Sequence, residues 1–183
     1  MPVTRRTVLK RLALVSVGAA LLPACFRDHP QPTVRTINFQ LDGDQEKLLE
    51  ELTATIIPSG ATPGAREVGA PVFILKMLDD CTSAADRDKF LRGLQQLDNA
   101  SRQTAGATFL KADPTQRATV LAALEMKKLP DQDLNFFYTT TKKWTIQAYT
   151  SSQYYLTRVQ VYELVPGRWH GCVPVPASQK SSS

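Results

Sequence analysis

The stretch Asp42-Gly43-Asp44-Gln45-Glu46-Lys47-Leu48-Leu49-Glu50-Glu51-Leu52-Thr53-Ala54-Thr55-Ile56-Ile57-Pro58 decides the fold class. Leu48, Leu49, Leu52 and Ile56 recur at the 3.6-residue spacing that puts them on one face of a helix. Asp42 or Asp44 supplies a capping carboxylate in front of them. Pro58 stops the run, because proline has no N–H to give and clashes with the preceding turn. The stretch is therefore an amphipathic helix with a start and a stop.

The same grammar repeats downstream. Ser59-Gly60-Ala61-Thr62-Pro63-Gly64 is a turn-rich loop. Pro71 opens a second helix in its first turn, with Phe73, Ile74, Met77 and Leu78 apolar. Ser83-Ala84-Ala85-Asp86 resembles a capping box with Asp in place of Glu, and begins a third helix carrying Phe90, Leu91, Leu94 and Leu97. Asp113-Pro114 caps and starts a fourth, with Val120, Leu121 and Leu124 as its stripe. A fifth follows Pro130, with Leu134, Phe137, Trp144 and Ile146 among its apolar positions. No convincing strand run precedes Tyr154. The expectation is an all-α single domain of about five helices joined by short loops.

Both ends depart from this pattern. Tyr154 to Val165 is rich in Tyr and Val, and reads either as an extension of the fifth helix or as an irregular arm. Val165-Pro166-Gly167-Arg168-Trp169-His170-Gly171-Cys172-Val173-Pro174 excludes a helix, with two prolines and two glycines in ten residues. Trp169 and Val173 give this arm something to bury. Gln179 to Ser183 reads as a disordered tail. At the other end, Phe26 to Phe39 carries Pro30 and Pro32 without apolar periodicity. It reads as a tether, or as a segment that wraps on the domain through Val34, Ile37 and Phe39.

The first 25 residues form an export signal. Thr4-Arg5-Arg6-Thr7-Val8-Leu9-Lys10 is a paired-arginine element, followed by an apolar run from Leu12 and then Leu22-Pro23-Ala24-Cys25. Leu12 to Ala24 is too short for a membrane span, which needs roughly 20 residues. Basic start, short apolar centre and small-residue exit are the layout of a twin-arginine signal. That route carries proteins already folded. Leu22 to Cys25 resembles a lipobox, making Cys25 the acylated first residue of the mature chain. Several acyl chains anchor firmly at about 0.8 kcal/mol per buried CH₂. The expected organisation is a signal over residues 1–24, a lipidated tether over 25–41 and a helical domain with arm and tail over 42–183. The expected location is the periplasmic side of a membrane.

Removing the signal takes four of 22 basic residues and none of the 17 acidic ones, leaving 18 against 17, net +1. The basicity belongs to the signal, so charge gives no case for nucleic acid. With Cys25 acylated, Cys81 and Cys172 remain. In an oxidising compartment an even pair suggests a disulfide. It would close a loop of roughly 90 residues and stabilise by several kcal/mol. A bond to a partner and two buried free thiols are the competing readings.

Three stretches resemble the small-subunit family of gluconate 2-dehydrogenase, called subunit 3. They are Leu52 to Pro58 followed by Thr62-Pro63-Gly64-Ala65, then Gly69-Ala70-Pro71-Val72-Phe73-Ile74, then Pro166 to Pro174. The resemblance implies a non-catalytic subunit of a membrane-associated dehydrogenase. Its large partner would be a flavoprotein holding FAD and oxidising a sugar, sugar acid or polyol. A multihaem cytochrome c subunit would often take the electrons. The partner commonly lacks a signal, so the small subunit would escort it through the twin-arginine translocase, stabilise it and anchor it.

The residues agree with a chain that holds no cofactor and no metal of its own. His29 and His170 are the only histidines, and neither has a metal-ligand partner at helical spacing. There is no C-x-x-C-H for covalent haem and no Gly-rich dinucleotide fingerprint after a strand. Asp79-Asp80 is an acidic pair near a helix end, and reads as a solvated terminus rather than a proton-transfer pair. The candidate partner contacts are Pro166, Gly167, Trp169 and Gly171, since aromatic residues dominate interface hot spots. A standalone periplasmic lipoprotein that binds another partner or ligand is the alternative from a different class.

Overall fold

The structure is a computed structural model, and it describes residues 32–126, 130–160 and 172. Five α-helices form it: α1 (Gly43–Ile56), α2 (Ala70–Cys81), α3 (Ala84–Ala105), α4 (Pro114–Glu125) and α5 (Gln132–Thr150). All five sit where the apolar periodicity places them. Helix α5 is the hub. It packs most extensively on α3, then on α2, while α4 lies along α3 and α1 touches the other four.

The helix starts follow side-chain chemistry. Asp42 caps α1 and Asp113 caps α4, each in a reciprocal box with Gln45 or Gln116. Ser83 caps α3 by accepting from the Asp86 N–H, but the Asp86 carboxylate returns to the Ser83 hydroxyl rather than to its backbone, so the expected box is half formed. Asp131 caps α5 through the Leu134 N–H, a signal that Pro130 overshadows in the sequence. Gly106 ends α3 at φ +78°, the left-handed conformation that favours glycine.

One continuous core joins all five helices, built around Leu49, Leu52, Ile74, Leu78, Phe90, Leu94, Leu97, Val120, Leu124, Leu134 and Phe137. Each such side chain contributes roughly 1.5–3 kcal/mol by leaving water. Phe90 and Phe137 meet edge-to-face with centroids 4.8 Å apart. Their helices can approach this closely because position 93 on α3 is glycine. A Cβ there would stand 2.2 Å from the Asp133 carbonyl oxygen and 2.5 Å from the Phe137 Cβ.

Three particulars differ from the sequence expectation, and a fourth favours the wrapping reading of the N-terminal segment over the free tether. Ile146 is 45% exposed, because the inward stripe of α5 runs through Phe137, Thr141, Thr145 and Ala148 and leaves it one position off. Phe109, outside any helical pattern, is wholly buried. Its N–H donates to Asp98 and it packs beneath the α3–α4 loop. After α5 the chain neither extends the helix nor runs straight. The Ser151 and Ser152 hydroxyls bond back to Gln147 and Tyr149 carbonyls, and Tyr155–Val159 forms one π-helical turn closed by the Gln160 N–H on the Tyr155 carbonyl at 2.8 Å. Finally, residues 33–41 lie on the helices. Phe39 and Leu41 are buried and Val34 packs on the core, while Ile37, at 88% exposure, does not.

Candidate interaction surface

The α1–α2 connection carries two of the motif stretches, and its geometry explains their composition. Ala65 and Ala70 are buried with Ala148 in a small second core. The Ala65 N–H donates to the Ile57 carbonyl at 2.9 Å, folding the loop back on the end of α1. A side chain at Gly64 would stand 2.5 Å from the Ser59 nitrogen and 2.7 Å from the Ile57 oxygen, so only glycine fits. Glu67 accepts from the Gly64 N–H at 2.8 Å. Its own N–H and that of Gly64 hold its carboxyl below the usual carboxylate range. Gly69 sits at φ +78° in front of α2, where Pro71 follows in the first turn.

An ionic network locks this loop to the rest of the body. Arg66 reaches Glu50 at 2.9 Å and Glu51 at 2.5 Å. Glu51 also accepts from Arg117 of α4, whose guanidinium donates to the Phe109 and Leu110 carbonyls at 3.0 and 3.1 Å. Arg117 thus closes the α3–α4 loop over Phe109, with its guanidinium 5.5 Å from that ring. Burial would raise the Glu51 pKa, but the bonds from Arg117 and Arg66 outweigh it and hold the carboxyl below its ordinary value.

At the far end of α2, Asp79 is the residue whose role the sequence reading missed. It is 9% exposed, not a solvated terminus, whereas its neighbour Asp80 is exposed. Its carboxylate accepts from the Ile37 N–H at 2.8 Å and the Asn38 N–H at 2.7 Å. The Asn38 amide donates to the Asp79 carbonyl at 2.9 Å and to its carboxylate at 3.1 Å. These N–H donors hold its carboxyl below the usual range against the opposing effect of burial. A carboxylate near a helix C-terminus is unfavourable by itself, so the segment ahead of α1 supplies what the helix end cannot. The only sequence signal was Asn38, a backbone-mimicking side chain ahead of the first cap.

A groove of about 280 Å³ opens between the end of α2, the start of α3 and the middle of α5. Leu78, Phe136 and Trp144 provide its apolar surfaces; Ser83, Asp86 and Lys143 supply polar groups of both charges. Trp144 rests on the core through Phe90, with centroids 6.3 Å apart. Cys81 stands at this groove. A groove of this make-up can receive an apolar side chain flanked by a polar group from another molecule.

Cys81 and Cys172 are both exposed and unbridged, so the reading of two buried thiols is corrected. Arg5, Arg6, Cys25, Pro166, Gly167, Trp169 and Gly171 lie outside the described residues. Among the described residues no three His, Cys, Asp or Glu side chains stand close enough to hold a metal ion. No helix among them is long and apolar enough to cross a membrane.

The sequence matches the family described as Gluconate 2-dehydrogenase subunit 3 over residues 43–167, from the first residue of α1 through all five helices and into the segment beyond. No curated protein and no solved structure gives a significant match.

Proposed function

Because the chain belongs to the gluconate 2-dehydrogenase subunit 3 family, an accessory component of a dehydrogenase complex, we propose that it is the non-catalytic small subunit of a membrane-associated, flavin-dependent dehydrogenase of sugars, sugar acids or polyols. Its large partner binds FAD, and a multihaem cytochrome c subunit receives the electrons. The chain carries the folded partner through the twin-arginine translocase on its own signal, and holds the partner at the periplasmic face of the membrane through lipid on Cys25.

The observation that carries this reading is the extent of the family match, which takes in the whole helical body rather than one motif. The paired arginines Arg5 and Arg6, ahead of a short apolar run and Cys25, support folded export and anchoring. The loop from Pro58 to Ala70 and the groove beside Trp144 add a rigid, shaped surface to dock on.

Gentle affinity purification of the tagged chain from its native membrane tests the reading. The expected result is a stoichiometric flavoprotein in the eluate with flavin absorbance, the isolated chain itself being colourless. A yellow flavin spectrum from the chain alone would overturn the non-catalytic assignment. Replacing Arg5 and Arg6 by lysine should leave the partner's dehydrogenase activity in the cytoplasm. Activity that still reached the periplasm would rule out the escort role.

A further inference from the structure

The folded body begins before its first helix. From Thr33 onward the chain is held: the Thr33 N–H donates to Glu46 at 2.5 Å, and Val34 packs on the core. Ile37 and Asn38 are gripped by Asp79, and Phe39 and Leu41 are buried. This strap lies against α1 and α2, and its Thr33 end lines one cavity with Gly69 and Pro71 at the start of α2. The chain therefore enters the body at the end that carries the Pro58–Ala70 loop.

We propose that the strap Thr33–Leu41 is a brake on the membrane tether, latched by Asp79, which holds the helical body close against the lipid surface. The inference rests on the lipid anchor at Cys25 and adds a limit on distance to it. Eight residue steps separate Cys25 from Thr33, so at about 3.3–3.6 Å per step the body's entry point stands no more than about 29 Å from the anchor. Were residues 33–38 free, with Phe39 still buried, fourteen steps would separate Cys25 from Phe39, and the limit would be about 50 Å. The bound depends on contour length alone. The difference decides whether a docked partner delivers electrons beside the membrane or at a domain's breadth from it.

The latch has the chemistry of a holding device. Four hydrogen bonds converge on one residue of α2, two of them from backbone N–H groups that no helix or sheet would otherwise satisfy. The apolar contribution lies at Val34, Phe39 and Leu41, on either side of the latch, whereas Ile37 at the latch is exposed. Hydrogen bonding, not burial, therefore secures the middle of the strap, and substitutions at Asp79 or Asn38 should release residues 33–38 while leaving the helical core in place.

The test uses the full acylated chain in phosphatidylcholine–phosphatidylglycerol vesicles. Cys81 and Cys172 are replaced by serine, a donor dye is placed through Ala61→Cys on the exposed loop, and an acceptor is carried on lipid headgroups. Mass spectrometry of the N-terminal peptide reads the acylation of Cys25 separately. In Asp79→Ala, and more mildly in Asn38→Ala, tryptic cleavage after Arg35 should quicken at least about tenfold as the strap opens. Energy transfer to the lipid should fall as the permitted span rises from about 29 to about 50 Å. Circular dichroism confirms that the helices remain. Lipid on Cys25 with rapid cleavage but unchanged transfer overturns the brake and leaves the anchor standing. Cleavage unchanged in both variants overturns the latch. A chain without lipid on Cys25 overturns the anchor, and the brake with it.

Discussion

Replacing Gly93 by alanine puts a methyl group where α3 and α5 touch. The new carbon would lie 2.2 Å from the Asp133 carbonyl oxygen, 2.8 Å from the Asp133 carbonyl carbon and 2.5 Å from the Phe137 Cβ. None of these is the far end of a flexible side chain, so no rotamer change relieves the clash. The helices must separate by about 1 Å to reach ordinary contact distance, and α5 also packs on α2. Over-packing of this kind costs about 1–3 kcal/mol, and the rigid backbone contact puts this site at the upper end. Alanine returns about 1 kcal/mol in helix propensity. The net loss is about 2 kcal/mol, which for a domain of this size lowers Tm by about 4–8 °C. The Phe90–Phe137 edge-to-face contact sits directly under the displaced position and should loosen with it. Thermal and urea unfolding of the purified chain, followed by far-UV circular dichroism, measures the effect. A Gly93→Ala chain as stable as the parent, or more stable, would mean that propensity wins and that the helices do not cross this closely.

Three further outcomes follow from the polar network and the caps. The Glu51 carboxyl titrates below its usual value, so its stabilising contribution is complete above about pH 4.5 and is lost as pH falls toward the folded-state pKa; Glu51→Gln should flatten the acid limb of a urea-midpoint profile between about pH 6 and pH 3. Arg117→Lys keeps the charge but cannot bond Glu51 and the Phe109 and Leu110 carbonyls together, and should destabilise by about 1–2 kcal/mol with faster hydrogen exchange at Phe109. Asp113→Ala removes the carboxylate that accepts from the Gln116 N–H, leaving only the bond from the residue-113 N–H to the Gln116 side chain, and should lower stability by about 1 kcal/mol in the same unfolding assay, against no change for exposed Thr115→Ala.

The helices were legible because each carries its own period and its own start signal. Leu48, Leu49 and Leu52, or Phe90, Leu94 and Leu97, announce a face, and Asp42, Ser83 and Asp113 announce a beginning. What escaped has no local period. Phe109 lies in a short loop with Leu110, without helical period, where Asp98 takes its N–H and Arg117, eight residues later, takes its carbonyl. Asp79 looked like half of a solvated acidic pair, since its partners, Ile37 and Asn38, are some 41 residues away. Gly93 inside a helical pattern signals a close approach without saying what approaches. Ile146 seemed a core position because isoleucine is apolar, but the buried stripe of α5 passes through threonines instead. Long-range pairing, not composition, decided each of these.

The titration behaviour of the acidic residues bears on what the body can do. A general base at neutral pH works best with a pKa near the operating pH, which burial or a second carboxylate raises. Glu51, Glu67, Asp79 and Glu125 are all displaced in the opposite direction. Each has a structural reason. Glu51 joins Arg66 and Arg117, and Glu67 pins the Gly64 turn. Asp79 grips the strap. Glu125 takes bonds from Lys142 and Tyr138, so that burial and this carboxylate push the Tyr138 phenol well above its ordinary range. These groups stay charged near neutrality and already hold bonds that link loops and helices. A substrate would have to break those bonds to use them. A polar system arranged in this way fixes the loops and helix ends to one another, which suits an accessory subunit of a dehydrogenase complex that presents a shaped surface.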